Sequence, residues 1–169
     1  GSVKSQQGRP YCCSEIQALN GWDITSRKTR QLYAWHKVLG IDRFFTSGFF
    51  NSNDGVINYE APPDYGPNSP VFRGTCLVNE WLQQCDSLCD GGIEEADVAI
   101  LDNVFSYWGW SSEMDLCQMK AWRRSWWFTI LRCLQSQIGI HALYTDDAAD
   151  ATVCKGEIIV GKRTYTTIL

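Results

Sequence analysis

The chain contains no Cys-x-x-Cys pair, no Gly-x-Ser-x-Gly, no His-Glu-x-x-His, no phosphate-binding glycine-rich loop and no Gly-x-Gly-x-x-Gly. It therefore lacks the usual signatures of dithiol redox centres, serine-hydrolase elbows, zinc proteases and nucleotide-binding folds. Asn-x-Ser/Thr sequons are missing too, since Asn68-Ser69-Pro70 fails at its third position. Its most apolar stretch, Trp122 to Leu134, is broken by Arg123, Arg124 and Arg132 and falls short of the roughly 20 residues that cross a bilayer. Positive charge is not in surplus: the formal net charge is −4. General binding to nucleic acid or membrane surfaces, which neutralises phosphates with Lys and Arg, is disfavoured.

What the chain has instead is eight cysteines and eight tryptophans in 169 residues, with 44% hydrophobic and 20% charged residues. An even cysteine count without metal-ligand spacing points to four disulfides and an oxidising compartment, so the protein is expected to be secreted and extracellular. Two distant histidines, a vicinal cysteine pair and one Cys-x-x-x-Cys do not make a structural zinc site, and no metal or cofactor is expected. Gly1-Ser2 reads as a cloning remnant ahead of a mature start.

Adjacent Cys12 and Cys13 are expected to reach different partners, because a bond between them would strain the intervening peptide. Cys117 and Cys133 lie on one predicted helix, about 24 Å apart along its axis, and cannot meet. The Cβ vectors of Cys85 and Cys89 run side by side. Excluding these three pairs leaves about 68 of the 105 pairings open to eight cysteines, Cys76 and Cys154 included.

Punctuation and periodicity predict helices from Ser26 to Gly40 (Leu32, Trp35, Leu39 on one stripe), from about Cys76 to Cys89, from about Glu94 to Gly109 and from about Glu113 to Gln137. The last carries Met119, Trp122, Trp126, Ile130 and Cys133 on one side and Cys117, Ala121, Phe128 and Leu131 on the other, so it is expected to be buried all round, with Ser111 or Ser112 as its cap. Strands are expected at Val56–Tyr59, Ile138–Tyr144, Glu157–Val160 and Arg163–Leu169, the last two joined at Gly161-Lys162 as a hairpin. Prolines 62, 63, 67 and 70 make 61–70 a loop. The expected fold is α+β: a flexible tail over 1–10, then one disulfide-stabilised domain over 11–169, with about four helices around the Trp-rich one and a small antiparallel sheet.

His36 and His141 are the weak catalytic candidates, as an acid and base for ribonuclease-like hydrolysis beside Arg27, Lys28, Arg30 and Lys37. The competing expectation is that both are ordinary structural histidines. Cations at 27, 28 and 30 oppose the dipole of the helix they open; they bind something anionic or pair with Asp23, Glu94, Glu95 or Asp97. Trp108 and Trp110, astride Gly109, and Phe49 and Phe50 are the expected exposed aromatic surface. Asp146, Asp147 and Asp150 lack the spacing of a calcium loop. In composition the chain is similar to small secreted cysteine-rich proteins of host-associated organisms, effectors and toxins among them. That likeness rests on no aligned motif. It implies a monomeric interaction protein that binds a protein or glycan outside the producing cell, with a secreted hydrolase as the alternative.

Overall fold

A computed structural model describes residues 1–52, 54–89, 92–102, 104–110 and 116–169, with the side chains of Ile57, Asn58, Ser106, Tyr107, Trp110 and Leu116 also left aside. The chain folds as two compact units, one discontinuous (Gly1–Pro10 and Ile93–Leu169) and one continuous (Tyr11–Gly92). Small sheets and helices mix in both, so the architecture is α+β.

Residues expected as a flexible tail form α1 (Ser2–Gln7), which belongs to the discontinuous unit and buries Gln6. Its Ser2 Oγ accepts from Ala142 N at 2.9 Å.

In the continuous unit, β1 (Cys13–Ile16), α2 (Ser26–Val38) and β2 (Arg43–Thr46) form a strand–helix–strand segment with the two strands parallel, Cys13 opposite Arg43 and Ile16 opposite Thr46. Thr25 rather than Ser26 caps α2, its hydroxyl accepting from Lys28 N. A short helix α3 (Ile57–Glu60) stands where a strand was expected. The proline loop that follows is fixed by buried Asp64, whose Oδ1 accepts from Gly66 N at 2.8 Å and Phe50 N at 3.2 Å. Helix α4 (Phe72–Cys89) starts one turn earlier than its periodicity suggested. Ile16, Tyr33, Val78 and Leu82 form the core, with Leu32, Phe44 and Trp81 packed against it. The buried face of α2 is thus Thr29 and Tyr33, and Trp35 is left 43% exposed.

The discontinuous unit is built on β3 (Val98–Asp102), which lies between β4 (Ile140–Tyr144) and β8 (Thr167–Ile168), both parallel to it. Residues 94–109 are therefore not one helix: β3 and the short α5 (Val104–Trp110) replace it. A central parallel strand is covered on both faces and reads as an unbroken apolar run, so Val98-Ala-Ile-Leu gives no two-residue alternation to recognise. Ala99 packs on one side with Leu143, Val160 and Tyr165; Ile100 packs on the other with Ile130 and Cys133.

Helix α6 (Leu116–Gln135) makes the crossover from β3 to β4. It is not buried all round. Trp126, Ile130, Cys133 and Leu134 meet the sheet, while Cys117, Ala121, Trp127 and Phe128 face solvent. A crossover helix presents one face to its sheet, and the exposed aromatics keep local partners: Trp127 stacks on Trp126 at 6.4 Å between centroids, and the Arg124 guanidinium lies 5.3 Å over Phe128. The expected cap residues Ser111 and Ser112 lie outside the described residues.

After α7 (Thr145–Ala149), strands β5 (Thr152–Cys154), β6 (Glu157–Val160) and β7 (Arg163–Tyr165) make an antiparallel meander, with the expected hairpin between β6 and β7. The strand at 140–144, expected in the same antiparallel sheet, pairs with β3 instead. No disulfide joins the eight cysteines in the structure, where Cys133 is buried, Cys12 and Cys85 are half-buried and the others are exposed. Among the described residues no helix is long and apolar enough to cross a membrane.

Candidate functional site

Among the described residues a densely connected polar cluster lies in the discontinuous unit, where α1 meets the sheets. His141, on β4 and 1% exposed, places Nδ1 2.8 Å from the Tyr165 hydroxyl and Nε2 3.2 Å from Glu94 Oε2. Gln6 Nε2 donates to the same tyrosine oxygen at 3.0 Å and to Ala142 O at 3.0 Å. Ser5 Oγ donates to Glu94 Oε2 at 2.9 Å, and Arg163 donates to Ser5 Oγ at 3.4 Å. With Gln6 donating to Tyr165, the phenol donates to Nδ1, which puts the imidazole proton on Nε2, facing Glu94. That last contact is within ion-pair distance but outside hydrogen-bond geometry.

The His141 imidazole, 3.2 Å away, holds the Glu94 carboxyl at about 2, with Ser5 and the charge of Arg163 acting in the same sense against partial burial. Burial raises the Tyr165 phenol, opposed by its bond from Gln6. Chemically the order of contacts is wrong for a nucleophile relay. A seryl nucleophile must hand its proton to the imidazole, whereas Ser5 bonds to the carboxylate. Both imidazole nitrogens are turned inward and no face of the ring meets solvent. The cluster ties α1 to β4 and β7.

His36, in the continuous unit, bonds through Nδ1 to Leu32 O at 2.8 Å and packs edge-on to Phe44. The two histidines thus belong to different units, each with its own local partners.

A second feature is a groove of about 640 Å³ along α2, lined by Asn20, Ile24, Lys28, Leu32, Trp35 and Val38 among others. It opens because the core face of α2 is centred on Thr29 and Tyr33, which leaves Leu32, Trp35 and Val38 on the flank. Helix α2 carries Arg27, Lys28, Arg30 and Lys37 and no carboxylate. Lys28 pairs with Asp23 at 3.2 Å, both exposed; Arg30 stacks 4.7 Å over Trp81; Lys37 bonds to Asp86 and to Asp42 O; Arg27 is exposed.

Of the residues expected to bind, Lys28 alone lines this groove. Trp108 is exposed and packs edge-on to Phe105 in the discontinuous unit; the side chain of Trp110 lies outside the described residues. Phe49 is exposed and Phe50 half-buried in the continuous unit. Asp146 and Asp147 open α7 and Asp150 ends it. Among the described residues no cluster of His, Cys, Asp or Glu forms a metal site. Sequence reasoning missed Ile24 and Val38 as groove residues and assigned Trp35 to the core; the signal was present in the crowding of cations beside an apolar flank on one helix.

No family model, curated protein or solved structure matches the chain.

Proposed function

We propose that this is a small secreted, cysteine-rich interaction protein, of effector or toxin type, that acts as a monomer by binding a partner protein outside the producing cell. The observation that carries this reading is the groove along α2: an apolar channel beside a helix with four cations and no anion. Its occupant is an amphipathic segment whose apolar side chains fill the channel and whose acidic flanks meet Arg27 and Lys28. Trp and Arg are enriched at the anchor points of interfaces, and long-range charge complementarity speeds and orients association. The enclosure of His141 weighs against the hydrolytic alternative, since a general base must reach the proton it takes.

The test uses a synthetic amphipathic helical peptide with leucines on one face and glutamates at its ends, with a lysine-ended peptide as control. Binding of the acidic peptide is expected to weaken at least tenfold in Val38→Asp and Trp35→Ala, and to fall with rising salt. Equal binding of both peptides, or no effect of either substitution, rejects the groove as the contact surface.

A further inference from the structure

We infer that Cys12 and Cys85 are a disulfide pair. Strand β1 and the residue before it alternate in burial: Cys12, Ser14 and Ile16 point inward, while Cys13 and Glu15 point out. Ile16 shares one buried core cluster with Tyr33 of α2 and with Val78 and Leu82 of α4. Cys85 continues that stripe, seven residues after Val78 and three after Leu82, and is itself half-buried. Cys12 therefore lies on the strand face that α4 covers, and Cys85 on the helix face that covers it.

The two also lie at the same end of the unit. Ser26, opening α2, sits against Gly74 near the start of α4, and Lys37 near the end of α2 bonds to Asp86 near the end of α4, so these helices run side by side in the same direction. The same Lys37 ammonium donates to Asp42 O at 3.2 Å. Asp42 in turn is bound to Cys12 twice, Cys12 N donating to Asp42 Oδ2 and Cys12 O accepting from Asp42 N, and Cys12 O also accepts from Arg43 N, each at 3.0 Å. One lysine thus bridges the residue paired with Cys12 and the neighbour of Cys85. The competitors are placed worse. Cys76 sits nine residues back, about 13 Å along the helix axis; Cys89 is exposed at the helix end, and Cys13 faces away.

Bond formation removes two protons and two electrons from the thiols. A small disulfide such as oxidised glutathione takes them by exchange and leaves as two thiols. Oxidation in the producing organism rests on the secreted reading, but the choice of partners does not.

The experiment equilibrates the full chain in a glutathione redox buffer, alkylates free thiols and cleaves it unreduced after Lys, Arg and Glu and before Asp. Peptide Ser5–Glu15 is expected linked to Trp81–Cys85, a link lost in Cys12→Ser and kept in Cys13→Ser. Trp81–Cys85 recovered alkylated, joined to another peptide, or released by Cys13→Ser overturns the assignment. Peptide binding in the α2 groove is scored separately, so failure of one reading does not imply failure of the other.

Discussion

Glu94 ties the buried cluster to pH. Its folded carboxyl, held at about 2, lies below the ordinary value of 4.5. A depressed carboxylate contributes stability that is complete above the unfolded value and disappears as pH falls through the folded one. The contribution is therefore present above about pH 4.5 and lost between about 4.5 and 2. Because about a third of the side chain meets solvent, screening cuts the full shift to roughly 2 kcal/mol. Glu94→Gln is expected to lower stability by about that much at pH 7 and to flatten the acid limb of a urea-unfolding series from pH 5 to 2. An unchanged acid limb contradicts the assignment. Tyr165→Phe acts through the same cluster: it leaves Gln6 and His141 Nδ1 without their shared partner in a buried site, at a cost of about 1–3 kcal/mol. Its measure is the urea midpoint at neutral pH, and a loss under about 0.5 kcal/mol would mean that water replaces the hydroxyl. None of this network was legible in the sequence beyond the presence of His141. Its members come from positions 5, 6, 94, 141 and 165, and only the folding of α1 onto β4 joins them.

Elements whose ends carry their own instructions were legible; those defined by what covers them were not. The stop of α2 at Gly40 and the turn Gly161-Lys162 followed from local backbone chemistry, and the cap of α2 was displaced by one residue, from Ser26 to Thr25. Strand β3 was hidden because burial on both faces erases its period. Helix α6 was misjudged because aromatic and cysteine side chains on its outer face counted as buried, although they are exposed there, Phe128 beside Arg124 and Trp127 beside Trp126. The groove was hidden for a related reason: Trp35 fits a core stripe as well as a channel wall. The hairpin turn supports a prediction at this scale. Gly161 has φ +57, and a Cβ there would collide with Gln6 O, the same oxygen that accepts from Lys162 N at 2.7 Å. Gly161→Ala is thus expected to cost at least about 1 kcal/mol of backbone strain and to raise hydrogen exchange in α1 along with the hairpin. If exchange rises in the hairpin alone, α1 is not held by this contact.

Across the whole chain the cysteines divide unevenly, with Cys12, Cys13, Cys76, Cys85 and Cys89 in the continuous unit and Cys117, Cys133 and Cys154 in the discontinuous one. The three on α4 cannot bond to one another, since helix rise separates Cys76 from the other two by about 13 Å or more and the remaining pair has side-by-side Cβ vectors. Cys117 and Cys133 share α6 and are excluded in the same way. Counting alone caps bonds confined within units at three, two among the five cysteines of the continuous unit and one among the three of the discontinuous unit. That leaves two thiols. A thiol titration of the oxidised protein in denaturant is expected to find no more than two free groups. Two is the count for pairing within units, and none means that a bond joins one unit's chain to the other's. Four or more removes the disulfide reading, and with it the argument for an oxidising compartment. Reduction should then matter in proportion. Each native bond constrains the unfolded chain by about 2–4 kcal/mol, so a protein titrating at two or fewer thiols should lose a large share of its stability in reductant, whereas one titrating at eight should show the same unfolding midpoint with and without it.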